Sequence, residues 1–323
     1  MKPMLTKIIC LSVLLVLPGL AWPAADFPKK PINVIIPFAP GGITDTLGRI
    51  TSKQVEKYLG QPMVILSKTG GSGAIGFREG ADAKPDGYTI TVLTTTLGCA
   101  PHALKGYPMT YKNFDPLVRL VNYQDTLVVN ATAPWKTLDE FIKYAKSAPG
   151  KLRVGEAGYG SNHHFCGAGF AAGLGLDFTF VPYAGSAETM TAVMGGHLEA
   201  TFAGAVEAGP LVKAGKLRGL VTLDDKRAAA LPDVPSLKEA GISGLWVPPG
   251  WVGFGLPKGT PKEIRQILYD AFKKAMAEQE LIDAVRKYGL EIEELGPEDF
   301  GKFMEEFHNN VGAIAKKINL QMK

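Results

Sequence analysis

The stretch "IIPFAPGGITD", Ile35 to Asp45, runs from an apolar segment through a Pro-Gly-Gly turn into residues suited to open a helix. Adjacent Gly41 and Gly42 let the backbone turn sharply and approach a ligand with no Cβ in the way, while Thr44 or Asp45 can cap the helix that follows. A strand ending this way presents unpaired N–H groups and partial positive charge, a pocket for an anion built from backbone. A tight turn that binds nothing would read the same if it stood alone.

It is one of several. Strand-like runs at 32–38, 63–67, 88–94, 126–130, 152–158, 178–183, 198–204 and 217–223 alternate with helical patterns at 44–58, 137–147, 162–172, 187–194 and 205–214. That alternation is the mark of βα units and an α/β fold with a largely parallel sheet. Four strands end in turns rich in Gly, Ser or Thr that run straight into a helix: "PFAPGGITD", "VLTTTLG", "EAGYGSNHH" and "TFAGAVEAG". Ligands of open α/β sheets sit outside the carboxyl ends of the strands, so these turns read as walls of one site. After the Pro- and Gly-rich "GLWVPPGWVGFGLPKGTP" (244–261) the pattern is helical almost to the end.

The first 25 residues differ. Lys2 and Lys7 precede the apolar "IICLSVLLVLPGL", and "AWPAA" follows, which reads as a secretory signal peptide. Cys10 lies inside the apolar run, which argues against a lipoprotein anchor. The formal charge of +4 falls by two with those lysines, and the weak excess left offers no footprint for nucleic acid. No later run approaches the ~18 apolar residues of a membrane span, so the exported mature protein is expected to be soluble. Cys99 and Cys166 remain in an oxidising compartment, either as free thiols or as a bridge.

Two chemistries compete with anion binding. "GSGAIG" (71–76) is a literal G-x-G-x-x-G, but the next strand, "YTITVLTTT", ends in threonines where a dinucleotide site wants an acid. A close-packed turn at the cleft or hinge suits these glycines better, and no cofactor is expected. "GYGSNHHFCGAG" (158–169) gathers Ser161, His163, His164 and Cys166. Ser161 lacks the nucleophile-elbow context, and adjacent histidines on a helix point about 100° apart, which disfavours one shared metal. Ser161 is expected to cap the helix and donate to an anion, with His164 packed nearby and no metal bound.

With these residues on the page, the chain resembles the extracytoplasmic solute receptors of tripartite tricarboxylate transporters, the Bordetella uptake gene family. The likeness runs through "FPKKPINVIIPFAPGGITDTLGR" (27–49), "GGSGAIGFREGADAKPDGYTI" (70–90), "GYGSNHH" (158–164), "FVPYAGSAETMTAVMGGHLEATF" (180–202), "LVKAGKLRGLVT" (211–222), "LPDVPSLKEAG" (231–241) and "WVGFGLPKGTP" (251–261). The resemblance implies a two-lobed periplasmic binding protein, type II-like, a Venus flytrap closing on a small organic acid between α/β lobes. It implies no catalysis. The expected partners are a mono- or dicarboxylate, aromatic acids included, and the permease subunits of the transporter, with the receptor itself a monomer.

The same resemblance places ligand contacts on Phe38, Ala39, Pro40, Gly41, Gly42, Thr44 and Asp45, and on the opposing Tyr159, Gly160, Ser161, Asn162 and His164. It adds Thr94, Thr95 and Thr96 after "VL", Tyr183 of "VPYxG", and Ala203, Gly204 and Ala205. Ala184 stands where relatives often carry Lys, and "FAGAVEA" is less polar than its counterparts, which tilts the expectation toward an acid with an apolar or aromatic body. Residues 1–25 form the signal peptide, 26–124 with 253–323 lobe one, and 125–252 lobe two. The chain is expected to cross between lobes near "LVRLVNYQD" and "LWVPPGWVGF". A sensory co-receptor for a histidine kinase would share this pocket, and an exported hydrolase would need Ser161 with His163 or His164.

Overall fold

The computed structural model describes residues 27–38, 40–41, 43–183 and 185–320, so the signal-peptide segment, Ala39, Gly42 and Ala184 lie outside the described residues. Strand β1 (Ile32–Ile36) is buried at four of its five positions, as expected of a strand covered on both faces. It ends at the glycine turn and continues into α1 (Ile43–Leu59). Two units then repeat the strand–turn–helix scheme, β2 (Met63–Ser67) with α2 (Ala74–Ala81) and β3 (Thr89–Thr94) with α3 (Thr96–Ala103), and β4 (Phe114–Tyr123) follows.

Gln124 alone separates β4 from β5 (Asp125–Asn130), the first strand of a second sheet. There follow α4 (Leu138–Ser147), β6 (Arg153–Ala157), α5 (Asn162–Leu174), β7 (Thr179–Tyr183), α6 (Ser186–Met194), β8 (Ala200–Gly204), α7 (Ala205–Lys213) and β9 (Leu217–Thr222). The chain returns to the first sheet with β10 (Gly250–Pro257) and finishes in α8 (Lys262–Met276), α9 (Gln279–Arg286), β11 (Ile292–Leu295) and α10 (Pro297–Lys317).

Among the described residues the first sheet runs β11-β4-β10-β3-β1-β2 and the second β7-β6-β8-β5-β9. The expected parallel pairing holds for β2, β1 and β3 and for β7, β6 and β8. It fails at β10 and β5, which run antiparallel to both of their neighbours. Both sheets are therefore mixed. The physical reason is that β10 and β5 enter from the other sheet, so they arrive from the opposite end instead of after a helical crossover.

Each sheet is covered by helices on both faces. One core packs Ile32, Val34 and Ile36 of β1 against Leu47 and Val55 of α1 and Leu268 and Phe272 of α8. The other face of that sheet holds Phe77, Leu93, Leu97, Trp251, Phe300 and Phe307, joined by Phe165 of α5. The second sheet is packed by α4 and α5 on one side and by α6 and α7 on the other. Helix α10 lies on α3 and β4 and also touches α5, so it braces the seam between the two halves.

Candidate functional site

Three of the four turns expected to line a site converge on one cavity of about 290 Å³. Thr44 brings the first turn of α1, Thr95 and Thr96 bring the start of α3, and Ser161, Asn162 and His163 bring the start of α5. The fourth wall is not the β8–α7 turn but the β7–α6 turn, through Gly185 and Ser186. Four helix N-termini thus face one space, α1 and α3 from the first sheet and α5 and α6 from the second. Such ends carry partial positive charge and free N–H groups, and each stabilises a nearby anion by about 0.3–1 kcal/mol.

The absence of the β8–α7 turn from this wall has a local cause. The Ala205 N–H donates to the Gln124 carbonyl at 2.9 Å, so it is consumed in holding the interlobe crossing. Ala203 and Ala205 are buried, and Ala205 borders a different cavity, of about 350 Å³, with Gln124 and Arg227. The lining of the candidate site is accordingly rich in hydroxyls, not in the small apolar residues of that turn.

Individual side chains explain the shape. Ser161 caps α5 as expected, its Oγ accepting from the His164 N–H at 3.2 Å. His164 is buried behind the cavity, its Nδ1 accepting from the Gly160 N–H at 3.0 Å and its ring 4.9 Å from that of Tyr159. Nδ1 of His164 is thus taken by a backbone amide. Gly160 has φ +74, and a Cβ there would lie 2.5 Å from the Cβ of Ala103 in α3. Only glycine lets this loop come so close to the opposite half.

Asp45 is bonded to groups of the chain itself. The residue is 4% exposed, and its carboxylate accepts from Arg49 Nε at 2.9 Å and from the Gly41 N–H at 3.0 Å. Burial opposes ionisation, yet the hydrogen bonds from Arg49 and the Gly41 amide outweigh it and hold this carboxyl below its ordinary value. The Gly41 amide is thereby occupied by the protein's own side chain. Pro40 is exposed, Gly41 borders a neighbouring cavity, and Tyr183 lies on an edge strand away from the candidate lining.

Thr95 is nearly fully buried, and its Oγ1 accepts from the Trp251 N–H at 3.1 Å, tying the start of α3 to the returning strand β10. Phe38 closes one end of the cavity and meets Phe77 edge to face at 6.2 Å. The "GSGAIG" glycines make a close-packed turn: a Cβ on Gly76 would sit 2.7 Å from Lys68 O and Pro37 Cα. Cys99 and Cys166 are free and buried.

Tyr123, His163 and Ser186 also line the site and were not anticipated as ligand contacts. Tyr123 closes β4 at the crossing. Ser186 Oγ donates to Glu207 Oε2 at 2.5 Å, and this bridge separates the candidate cavity from a wider one of about 620 Å³ bordered by Ile43, Glu207 and Lys213. Only two helix N-termini border the wider space, those of α1 and α7, against four at the smaller one, so volume alone does not favour it.

A family model described as "Tripartite tricarboxylate transporter family receptor" matches residues 47–320. The chain belongs to this receptor family. It is similar to a solved TctC solute-binding protein from Polaromonas, 34% identical with a TM-score of 0.79, covering 90% of this chain and 99% of that one. It is also similar to MatC of Rhodopseudomonas palustris with bound malate, 28% identical with a TM-score of 0.75, over 90% of this chain and all of that one. A further R. palustris protein, solved with adipate, is 27% identical with a TM-score of 0.79 over 92% of this chain and all of that one. The two-lobed α/β architecture is that of periplasmic solute-binding proteins, a class of receptors and not of enzymes. No described helix of this receptor is long and apolar enough to cross a membrane.

Proposed function

We propose that this receptor captures a small organic carboxylate between its lobes and delivers it to the permease of a tripartite tricarboxylate-type transporter. The observation that carries the reading is the convergence of four helix N-termini, two from each half, on one hydroxyl-lined cavity. A carboxylate placed there gains hydrogen bonds from both halves, and charge-assisted bonds of this kind are worth about 1.5–3 kcal/mol each. Three at the upper end of that range, or about five at the lower end, reach the roughly 8 kcal/mol of micromolar affinity. The malate and adipate bound by related proteins fit the same chemistry.

The remaining elements of the reading follow from it. Residues 1–25 direct export and are removed, residues 26–124 and 253–323 make lobe one, and 125–252 make lobe two. Besides Thr44, Thr95, Thr96 and Ser161, the ligand is contacted by Phe38 and Asn162. The receptor works as a monomer, and ligand-driven closure forms the surface that the permease recognises.

The test is a thermal-shift and calorimetry screen with malate, adipate, citrate, aliphatic monocarboxylates and benzoate. A true ligand at a hundred times its Kd raises stability by about 2.7 kcal/mol. Ser161→Ala should weaken that ligand and cost about 1 kcal/mol of stability through the lost cap. A screen in which no carboxylate shifts the melting temperature, or in which the binder ignores Ser161→Ala, would sink the assignment.

A further inference from the structure

Within the candidate cavity one lining residue has a basic side chain: His163, at the second position of α5. Its Nδ1 lies 2.8 Å from Asp125 Oδ2, and Nε2 has no hydrogen-bond partner among the described residues. Asp125 is the first residue of β5, directly after the crossing, and its side chain is wholly buried. Asn162 Nδ2 donates to the same oxygen at 3.3 Å, while Oδ1 is buried without a partner. His163 is the one basic group within ion-pair distance of this carboxylate among the described residues.

We propose that His163 is the specificity-determining side chain of the site: Asp125 fixes the ring from behind, and Nε2–H is given to a carboxylate oxygen of the bound ligand. The inference rests on the carboxylate-receptor reading above and names the group that answers the ligand's charge. It is distinct from His164, which faces Gly160 and Tyr159 away from the cavity.

The surroundings of the ring favour this arrangement. Facing it are Asp125 from β5 and, farther off, Glu207 from α7, with Tyr123 of β4, Cys99 of α3 and Cys166 of its own helix around the Asp125 carboxylate. Burial pushes the Tyr123 phenol and both thiols up, so none adds charge at neutral pH. Burial also opposes protonation of His163, but the Asp125 charge and hydrogen bond, aided by Glu207, outweigh it and raise the ring to about 9. The imidazolium therefore persists across the neutral range. In the empty site Asp125 balances it; an arriving carboxylate finds an ionised donor already aimed and held, which a neutral isostere exploits less.

The experiment uses the full mature chain in three measurements. Imidazole nitrogen NMR of the ligand-free protein should show His163 doubly protonated at neutral pH, losing a proton near pH 9, and titrating lower in Asp125→Asn. A neutral ring at neutral pH overturns the inference whatever the ligand. Calorimetry with adipate, malate and citrate and their amides should show His163→Gln weakening the carboxylates by about 10- to 100-fold while sparing the amides. Equal losses for acid and amide overturn it. Wild-type carboxylate affinity should fall as pH rises through the titration of His163, and the Gln variant should lose that fall; an unchanged profile in the variant overturns it as well. A wild-type protein that binds none of the three acids overturns the receptor reading and this inference together.

Discussion

Asp45 shows how much of a side chain's bonding is local. The sequence puts an acid at the third position of α1, where it should meet a ligand or cap the helix; in the structure it folds back on the Gly41 amide and on Arg49 one turn later. The Arg49 partner sits at i+4 and was legible as spacing. The His163–Asp125 pair was not, because 38 residues separate its members and only the sheet crossing brings them together. The Ser161 cap was readable because capping is local, needing only a hydroxyl and the amide three residues on. Gly160 carries the residue-scale prediction. With φ +74 and a virtual Cβ 2.5 Å from that of Ala103, Gly160→Ala combines backbone strain with overpacking and should cost about 1–3 kcal/mol in urea denaturation. A loss well under 1 kcal/mol would show that the two halves are not in close contact at this loop.

Among the elements, β1 to β3, β5 to β9 and the longer helices stood out in the sequence because their hydrophobic periods are strong and their ends are marked by turn residues, whereas β4 and β10 read only as extended crossings and β11 was hidden in a region that reads as helical. Helices α2 and α3 did not; each is eight residues long, and α3 contains Pro101. Strand direction was hidden too, since an apolar run reads the same in either sense, and β5 and β10 are antiparallel for reasons of chain path alone. The start of α7, which does not border the candidate cavity, is tied instead to the crossing by a tertiary hydrogen bond from Ala205 to Gln124. At this scale the seam between α3 and α10 makes a pH prediction. His102 Nε2 lies 3.0 Å from the His308 carbonyl, and the two rings are 4.3 Å apart. Burial, then the neighbouring His102 and Lys112, lower His308 to about 4, and burial lowers His102. Both folded values lie below the unfolded one, so their contribution is complete above the unfolded value near 6.5 and is lost as pH falls toward about 4. Melting temperature should decline over that window, and His308→Asn should flatten the decline; a flat wild-type profile would contradict it.

For the whole molecule, two sheets joined at Gln124 and at the return into β10 form a hinge of few covalent links, while α10 and the α3–α5 seam brace one side. Helix ends from both halves meet across the cavity, so a ligand that bonds both favours approach of the lobes. Small-angle scattering should therefore show a smaller radius of gyration with saturating ligand; an unchanged profile under tight binding would rule closure out. The two-lobed plan was legible from the family motifs spread along the chain. Its contact geometry was not, because no local pattern encodes how one half leans on the other. Trp251 gives that motion an optical handle. Its indole is 1% exposed among Phe300, Phe303 and Phe307, and its own amide is held by Thr95 of the cavity wall. A fluorophore anchored at once to the pivot and to the binding surface will change its emission as the site fills, so stopped-flow mixing of the unlabelled protein can time each capture event.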